Sequence, residues 1–157
     1  MLKCYDNNWE SLPESISNLI NLEVLDCHRN NLITLPVSNL MNLKILDCSY
    51  NEINFPLDLD TFINLEQLNC SHNRFRTLPE SIGKLINLES LYFENNNIRT
   101  LPDTIINLRN ITDITFDQSV LLTKVQQTYY YWIKNNKTTT FDEYYDDNLI
   151  KYAGKVN

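Results

Sequence analysis

Leu65-Glu66-Gln67-Leu68-Asn69-Cys70-Ser71-His72-Asn73-Arg74-Phe75-Arg76-Thr77-Leu78-Pro79-Glu80-Ser81-Ile82-Gly83-Lys84-Leu85-Ile86-Asn87 reads LxxLxCxxNxFxxLPxxIxxLxN, and Leu88 starts the same phrase again. Leu68 and Cys70 alternate with Asn69 and Ser71, the period of a strand with one buried face. Asn73 follows where the chain must turn inward. Its amide carries both donor and acceptor, which suits backbone groups that water cannot reach. Pro79 closes the turn, where a fixed φ is useful and a missing N–H costs little. The return segment, Glu80 to Leu85, is too short for a long helix and predicts a single helical or 3-10 turn. A unit of strand, turn and return, repeated, stacks into a parallel sheet with strands about 4.8 Å apart.

The phrase recurs on both sides. A first unit begins in mid-strand with Leu2, Cys4, Asn7, Trp9, Leu12, Pro13, Ile16, Leu19 and Asn21. The second, Leu22 to Asn42, keeps Leu25, Cys27, Asn30, Leu32, Leu35 and Pro36, but its return is two residues short. The third, Leu43 to Asn64, keeps Leu46, Cys48, Asn51 and Ile53 and reaches Phe55-Pro56 one residue early. A fifth, Leu88 to Asn110, carries Leu91, Phe93, Asn96, Ile98, Leu101, Pro102, Ile105 and Leu108. A sixth starts with Ile111, Ile114 and Phe116 and loses the pattern at Ser119, where an asparagine is due.

This pattern resembles the leucine-rich repeat family, and the LPxxIxxLxNL returns in Leu78 to Leu88 and Leu101 to Ile111 are most similar to its Ras-group, Shoc-like subclass. The resemblance covers residues 1 to 119. It implies an α/β fold class, a right-handed leucine-rich repeat solenoid with a parallel concave sheet that binds other proteins, and it brings no catalytic residues. The expected organisation is a repeat array over 1–119, about five repeats plus a degenerate sixth, and a short helical C-terminal cap over 120–157. The abundance of Asn, Ile and Tyr beside a single alanine, Ala153, resembles proteins of AT-rich genomes such as those of giant DNA viruses or certain protists.

A chain of 157 residues, 43% hydrophobic, fits one elongated domain whose core runs along a line. No apolar run approaches the length of a membrane span, and Met1 to Asp6 lacks the apolar core of a signal peptide. The expected setting is cytoplasmic, in the host if the chain is viral, with no membrane partner. A net charge of −7 argues against nucleic acid, whose binding rests on Lys and Arg neutralising phosphates. The acidity lies in residues 1–119, which hold 16 acidic and 8 basic side chains.

Cys4, Cys27, Cys48 and Cys70 could make a structural zinc site or disulfides. Their spacings of 23, 21 and 22 follow the repeat, so stacked units spread them over about 14 Å, too far to surround one ion. Phe93 and Phe116 hold the same position later, which suits a packing site, so a buried column of free thiols is expected. His28 and His72, two units apart, are expected as exposed contact residues. No phosphate loop, nucleophile elbow or zinc-protease motif is present, so neither an enzyme, a metal nor a cofactor is expected. Asn7, Asn30, Asn51, Asn73 and Asn96 are expected to form a structural ladder.

The outward strand positions define the candidate binding surface: Asp26, His28, Asp47, Tyr50, Asn69, His72, Tyr92 and Glu94. With the flanking columns this face holds 9 acids and 3 bases, against 7 and 5 in the rest of residues 1–119. It is expected to engage a protein with a basic surface, Tyr50, His72 and Tyr92 serving as anchors. The alternative is a structural or self-associating repeat protein with no dedicated concave-face ligand. It would use an uncapped first unit, where Trp9, Leu12, Ile16 and Leu19 leave an apolar end face and a weak homodimer is expected. From Val120 the period turns helical: Leu121, Val125, Tyr129, Trp132 and Ile133 form one stripe. Thr140 to Glu143 forms a capping box, followed by Phe141, Tyr145, Leu149 and Tyr152 on a second stripe, with Gly154 as terminator. This segment is expected to cover the last unit, with an aromatic docking helix over Tyr129 to Trp132 as the alternative.

Overall fold

The computed structural model describes residues 1–54, 57, 59–135 and 140–145. Phe55, Pro56, Leu149, Tyr152 and Gly154 lie outside the described residues. Six short strands, β1 (Leu2–Lys3), β2 (Val24–Asp26), β3 (Ile45–Asp47), β4 (Gln67–Asn69), β5 (Ser90–Tyr92) and β6 (Asp113–Thr115), form one parallel sheet in chain order. Each unit contributes one strand, and the register pairs equivalent positions: Leu25, Leu46, Leu68, Leu91 and Ile114 lie side by side. All five are buried, as are Cys27, Cys48, Cys70 and Phe93 two residues on.

Strands of three residues cannot satisfy their own surroundings, and the asparagines do so. Asn51 Oδ1 accepts from Leu32 N in the preceding unit (2.9 Å), while its Nδ2 donates to the carbonyls of Cys27, Cys48 and Ser49, each at 3.1 Å. Asn30 and Asn73 are buried and make the same four bonds with the same partners one unit back or forward. Asn96 repeats the pattern half-buried. Asn7 departs from the expected ladder: it is exposed, and its Nδ2 donates to Cys4 O and Tyr5 O within its own unit.

The residue before each of these asparagines has a left-handed backbone, with φ of 50 to 56° at Asp6, Arg29, Tyr50, His72 and Asn95. Such a conformation costs an L-residue roughly 1–2 kcal/mol. It is held because it aims two successive N–H groups at the next unit: Tyr50 N donates to Ser71 O (3.1 Å) and Asn51 N to His72 O (3.1 Å).

A second asparagine row, absent from the sequence-based expectation, closes the other edge of the sheet. Asn42, Asn64, Asn87 and Asn110 donate from Nδ2 to the carbonyls of Ile20, Met41, Ile63 and Ile86 at 2.8 to 3.0 Å. The returns of the full-length units are 3-10 turns, Glu14–Asn18, Glu80–Lys84 and Asp103–Asn107, each entered from a proline. Neighbouring turns pack tightly at Gly83, where a Cβ would stand 2.6 Å from the Thr104 carbonyl oxygen.

The ladder ends at Asp117. Asn95 N and Asn96 N point at the sixth unit, and there the Asp117 carboxylate, in place of backbone carbonyls, accepts from both, at 2.9 and 3.2 Å. Beyond it, α1 (Lys124–Asn135) buries Gln126, Tyr129, Trp132 and Ile133. Tyr129 Oη donates to Leu108 O (2.5 Å), and Gln126 Nε2 to Leu101 O and Pro102 O (3.2 Å each). Phe141 packs edge-on to Tyr129 and beneath Arg109, whose guanidinium also meets Asp142 at 2.9 Å. Thr140 and Glu143 bond reciprocally at 3.1 and 3.3 Å, as a capping box does. Residues 141–145 are helical. α1 and residues 141–142 thus pack on the return of the fifth unit, at Leu101, Pro102, Leu108 and Arg109. Tyr129 and Trp132 face inward and Tyr131 outward, so an exposed four-residue aromatic docking surface does not form.

Asn51→Ala removes four bonds and strands buried partners, so it is expected to cost about 3 kcal/mol or more in urea unfolding, whereas Asn7→Ala costs under about 1 kcal/mol. Asp117→Ala, which uncaps two N–H groups at a partly solvated end, is expected to cost about 1–2 kcal/mol by the same measurement.

Candidate functional site

The parallel register places equivalent side chains of successive strands next to each other, and this turns the strand face into rows. One row runs Lys3, Asp26, Asp47, Asn69, Tyr92, Thr115. Its members are held from below. Asp47 Oδ1 accepts from Ser49 N (3.0 Å) and Ser49 Oγ (2.6 Å), and Asp47 Oδ2 from Asn69 Nδ2 (3.2 Å). Asn69 Oδ1 repeats the first arrangement with Ser71 N (3.2 Å) and Oγ (2.8 Å). Ser49 and Ser71 are buried. They belong to the support of the face and not to its exposed surface, where their outward strand positions would have put them.

Asp26 does with His28 what Asp47 does with Ser49: its Oδ1 lies 2.5 Å from His28 Nδ1. Because a carboxylate only accepts, Nδ1 carries the proton. The Tyr5 ring stacks on His28 at 4.8 Å between centroids. On the next row Tyr50 stacks on His72 at 3.9 Å, with the Arg29 guanidinium 5.6 Å above the Tyr50 ring and Asn95 Nδ2 3.1 Å from His72 Nε2. Tyr50 is exposed, and His28 and His72 are half-buried within these stacks, where exposed side chains were expected. At the far end Tyr92 Oη donates to Asp113 Oδ2 (2.9 Å), and Thr115 Oγ1 bonds Glu94. All eight candidate contact residues therefore share one sheet face. They fall into a western group, Asp26, His28, Asp47 and Asn69, and an aromatic rim of Tyr50 and His72, with Tyr92 and Glu94 tied to β6.

Alongside lies a groove of about 350 Å³ lined by Glu23, Lys44, Glu66 and Glu89 with the asparagines 42, 64, 87 and 110. At the β1 end, Leu2, Cys4, Trp9, Leu12, Ile16 and Leu19 surround an apolar cavity of about 260 Å³. Leu12 and Ile16 are buried in the core, so the exposed apolar surface there is carried by Trp9, Leu19 and Ile20, against the expectation for the first two.

The thiols form a column under the sheet. All four are free and buried, and each occupies the same strand position. Cys27 and Cys70 point at carbonyls, Asp47 O (3.5 Å) and Tyr92 O (3.4 Å). Burial pushes all four thiols up from their ordinary range, Cys70 to about 12.

Stacked strand-and-turn units with a buried asparagine ladder define a parallel-sheet repeat solenoid, a class that presents a face and not a cleft. The particular solenoid is that of the leucine-rich repeat proteins. The Leucine Rich Repeat family model matches residues 21–43, 64–85 and 87–108. Among solved structures the chain is similar to a leucine-rich repeat protein of Leptospira interrogans (TM-score 0.70, 24% identity, 84% of this chain and 40% of that one). It is similar to an internalin of Listeria monocytogenes (0.65, 25%, 76% and 35%). A third is the leucine-rich repeat ectodomain of the Arabidopsis thaliana membrane receptor kinase GASSHO1/SCHENGEN3, solved with Casparian strip integrity factor 2 (0.60, 29%, 68% and 14%). The chain spans 40% or less of the length of these structures. No curated relative matches it. Among the described residues no helix is long and apolar enough to cross a membrane.

Three cysteines, Cys27, Cys48 and Cys70, should resist a thiol reagent in the folded protein and react together on denaturation. Because the folded-state values lie above the unfolded ones, the proton favours the native state. Stability held by the thiols is therefore full below about pH 9, the ordinary thiol range, and declines as pH climbs toward 12. Urea midpoints measured from pH 7 to 11 should fall above pH 9, and the fall should shrink in Cys70→Ala.

Proposed function

We propose that the chain is a non-enzymatic protein-interaction module whose acidic strand face binds a partner protein through that partner's basic surface. Leucine-rich repeat folds generally serve as protein-binding scaffolds, and a similar ectodomain was solved in complex with Casparian strip integrity factor 2. The observation that carries the reading is the western half of the face. There two aspartates of neighbouring strands, Asp26 and Asp47, stand in register with no Lys or Arg ion pair to either among the described residues. Neighbouring carboxylates without a cation of their own suit a guanidinium or ammonium group, which supplies the missing charge partner. At the other end Glu94, Asp113 and Asp117 already accept from Thr115, Tyr92 and backbone N–H groups, so they add to the field more than to direct contacts.

The same reading places the protein in the cytoplasm, where buried free thiols persist, and keeps the Ras-group resemblance of its full-length returns. The test is quantitative. A basic protein captured on the native chain should lose at least tenfold in affinity to Asp26→Lys/Asp47→Lys and lose affinity with added salt. Glu80→Lys, on the opposite side of the unit, should leave binding unchanged. Equal affinity for both variants, with folding intact by circular dichroism, overturns the reading.

A further inference from the structure

The western group holds a second possibility, independent of any protein partner. We propose that Asp26, His28 and Asp47 form a site for one divalent transition-metal ion of the zinc type. One imidazole nitrogen and one oxygen from each carboxylate lie within 4.8 Å of one another, and all three side chains are half-buried. Asp26 and Asp47 lie on the hydrogen-bonded strands β2 and β3, and His28 follows β2 by two residues.

Three features favour a cation there. The parallel register puts Asp26 and Asp47 directly opposite each other, and like charges so placed repel. Lys3 flanks Asp26 on β1 without forming an ion pair to it, and neither carboxylate has a Lys or Arg partner among the described residues. Both kinds of ligand are also oriented from outside the trio. Tyr5 stacks on the imidazole, while Ser49 and Asn69 fix the Asp47 carboxylate. Outer partners of this sort set ligand direction in metal sites.

The donor set chooses the metal class. One imidazole and two carboxylates suit Zn²⁺ with a fourth position open to the solvent face, whereas Ca²⁺ wants six to eight oxygens. Bonds of about 2.0–2.2 Å place tetrahedral ligands roughly 3.4 Å apart. Asp26 and His28, at 2.5 Å, must therefore spread, and Asp47 must swing inward by on the order of 1 Å. The proton on Nδ1 moves to Nε2, and the freed Nδ1 lone pair turns to the metal. No bond is oxidised or reduced.

Isothermal titration of the full chain with Zn²⁺ at pH 7.5 tests this. The expected result is one ion per chain, at least tenfold weaker in Asp47→Asn and in His28→Gln, with amide NMR shifts centred on residues 26–28 and 47–49. Zn²⁺ should also raise the melting temperature of the native chain and not that of Asp47→Asn, because a ligand stabilises only the state it binds. Asp47→Asn keeps the shape and the Ser49 contacts, so it decides the matter if His28→Gln folds poorly. Absence of saturable binding, or equal binding by both variants (an adventitious ion only), overturns the proposal. No partner protein is used, so failure here leaves the basic-partner reading intact, and the reverse holds.

Discussion

Everything in this molecule depends on one side-chain amide per unit reaching back into the unit before it. A solenoid strand of three residues makes too few ladder bonds to hold its neighbours, and the turn that follows buries carbonyls that no strand can reach. Asn30, Asn51 and Asn73 supply the missing partners, each tying one N–H and one carbonyl of the previous unit to two carbonyls of its own. Only an amide does this, since an aspartate has no donors and a serine too short a reach. The apolar positions then follow: leucines fill the space that the amides have closed to water.

That constraint shapes the surface as well as the core. To sink the asparagine, the preceding residue must take a left-handed backbone, and this aims its side chain out along the rim of the strand face. Glycine or asparagine would be the low-cost choice there. The chain places Arg29, Tyr50 and His72 instead, and these pack on one another as an ascending stack. Strain of that kind is tolerated where the surroundings over-determine it, and here two N–H bonds per unit do so. Bulky residues thus occupy a backbone position that disfavours them, held there by their own stack and by the N–H bonds beneath it.

The repeat, the strand positions, the thiol column and the asparagine ladder were all legible in the sequence because each recurs at a fixed spacing. What escaped was set by relations between units. Ser49 and Ser71 occupy outward positions yet are buried, because an aspartate or asparagine two residues earlier folds over each hydroxyl. Asn42, Asn64, Asn87 and Asn110 recur as regularly as the first ladder, but their acceptors lie one unit back and leave no mark in the local pattern. Thr123 and Gln126 bond reciprocally at the start of α1 (3.0 and 3.3 Å), and that spacing was there to be read. Asp117 was visible only as an acid next to a lost asparagine. Its role appears once the N–H groups of Asn95 and Asn96 are seen to meet its carboxylate where earlier units offer backbone carbonyls.

The same register that builds the rows also explains where charge can sit on them. Equivalent positions of parallel strands are about 4.8 Å apart, so any row with two acids in succession carries a repulsion that must be relieved locally. Along the central row the relief is visible rung by rung: Asn69 donates to Asp47, and one rung over Tyr92 reaches across to Asp113. Thr115 does the same for Glu94. The step from Asp26 to Asp47 is arranged differently. Its one bridging proton sits on His28 and serves Asp26 alone, while Asp47 turns to the serine and the asparagine.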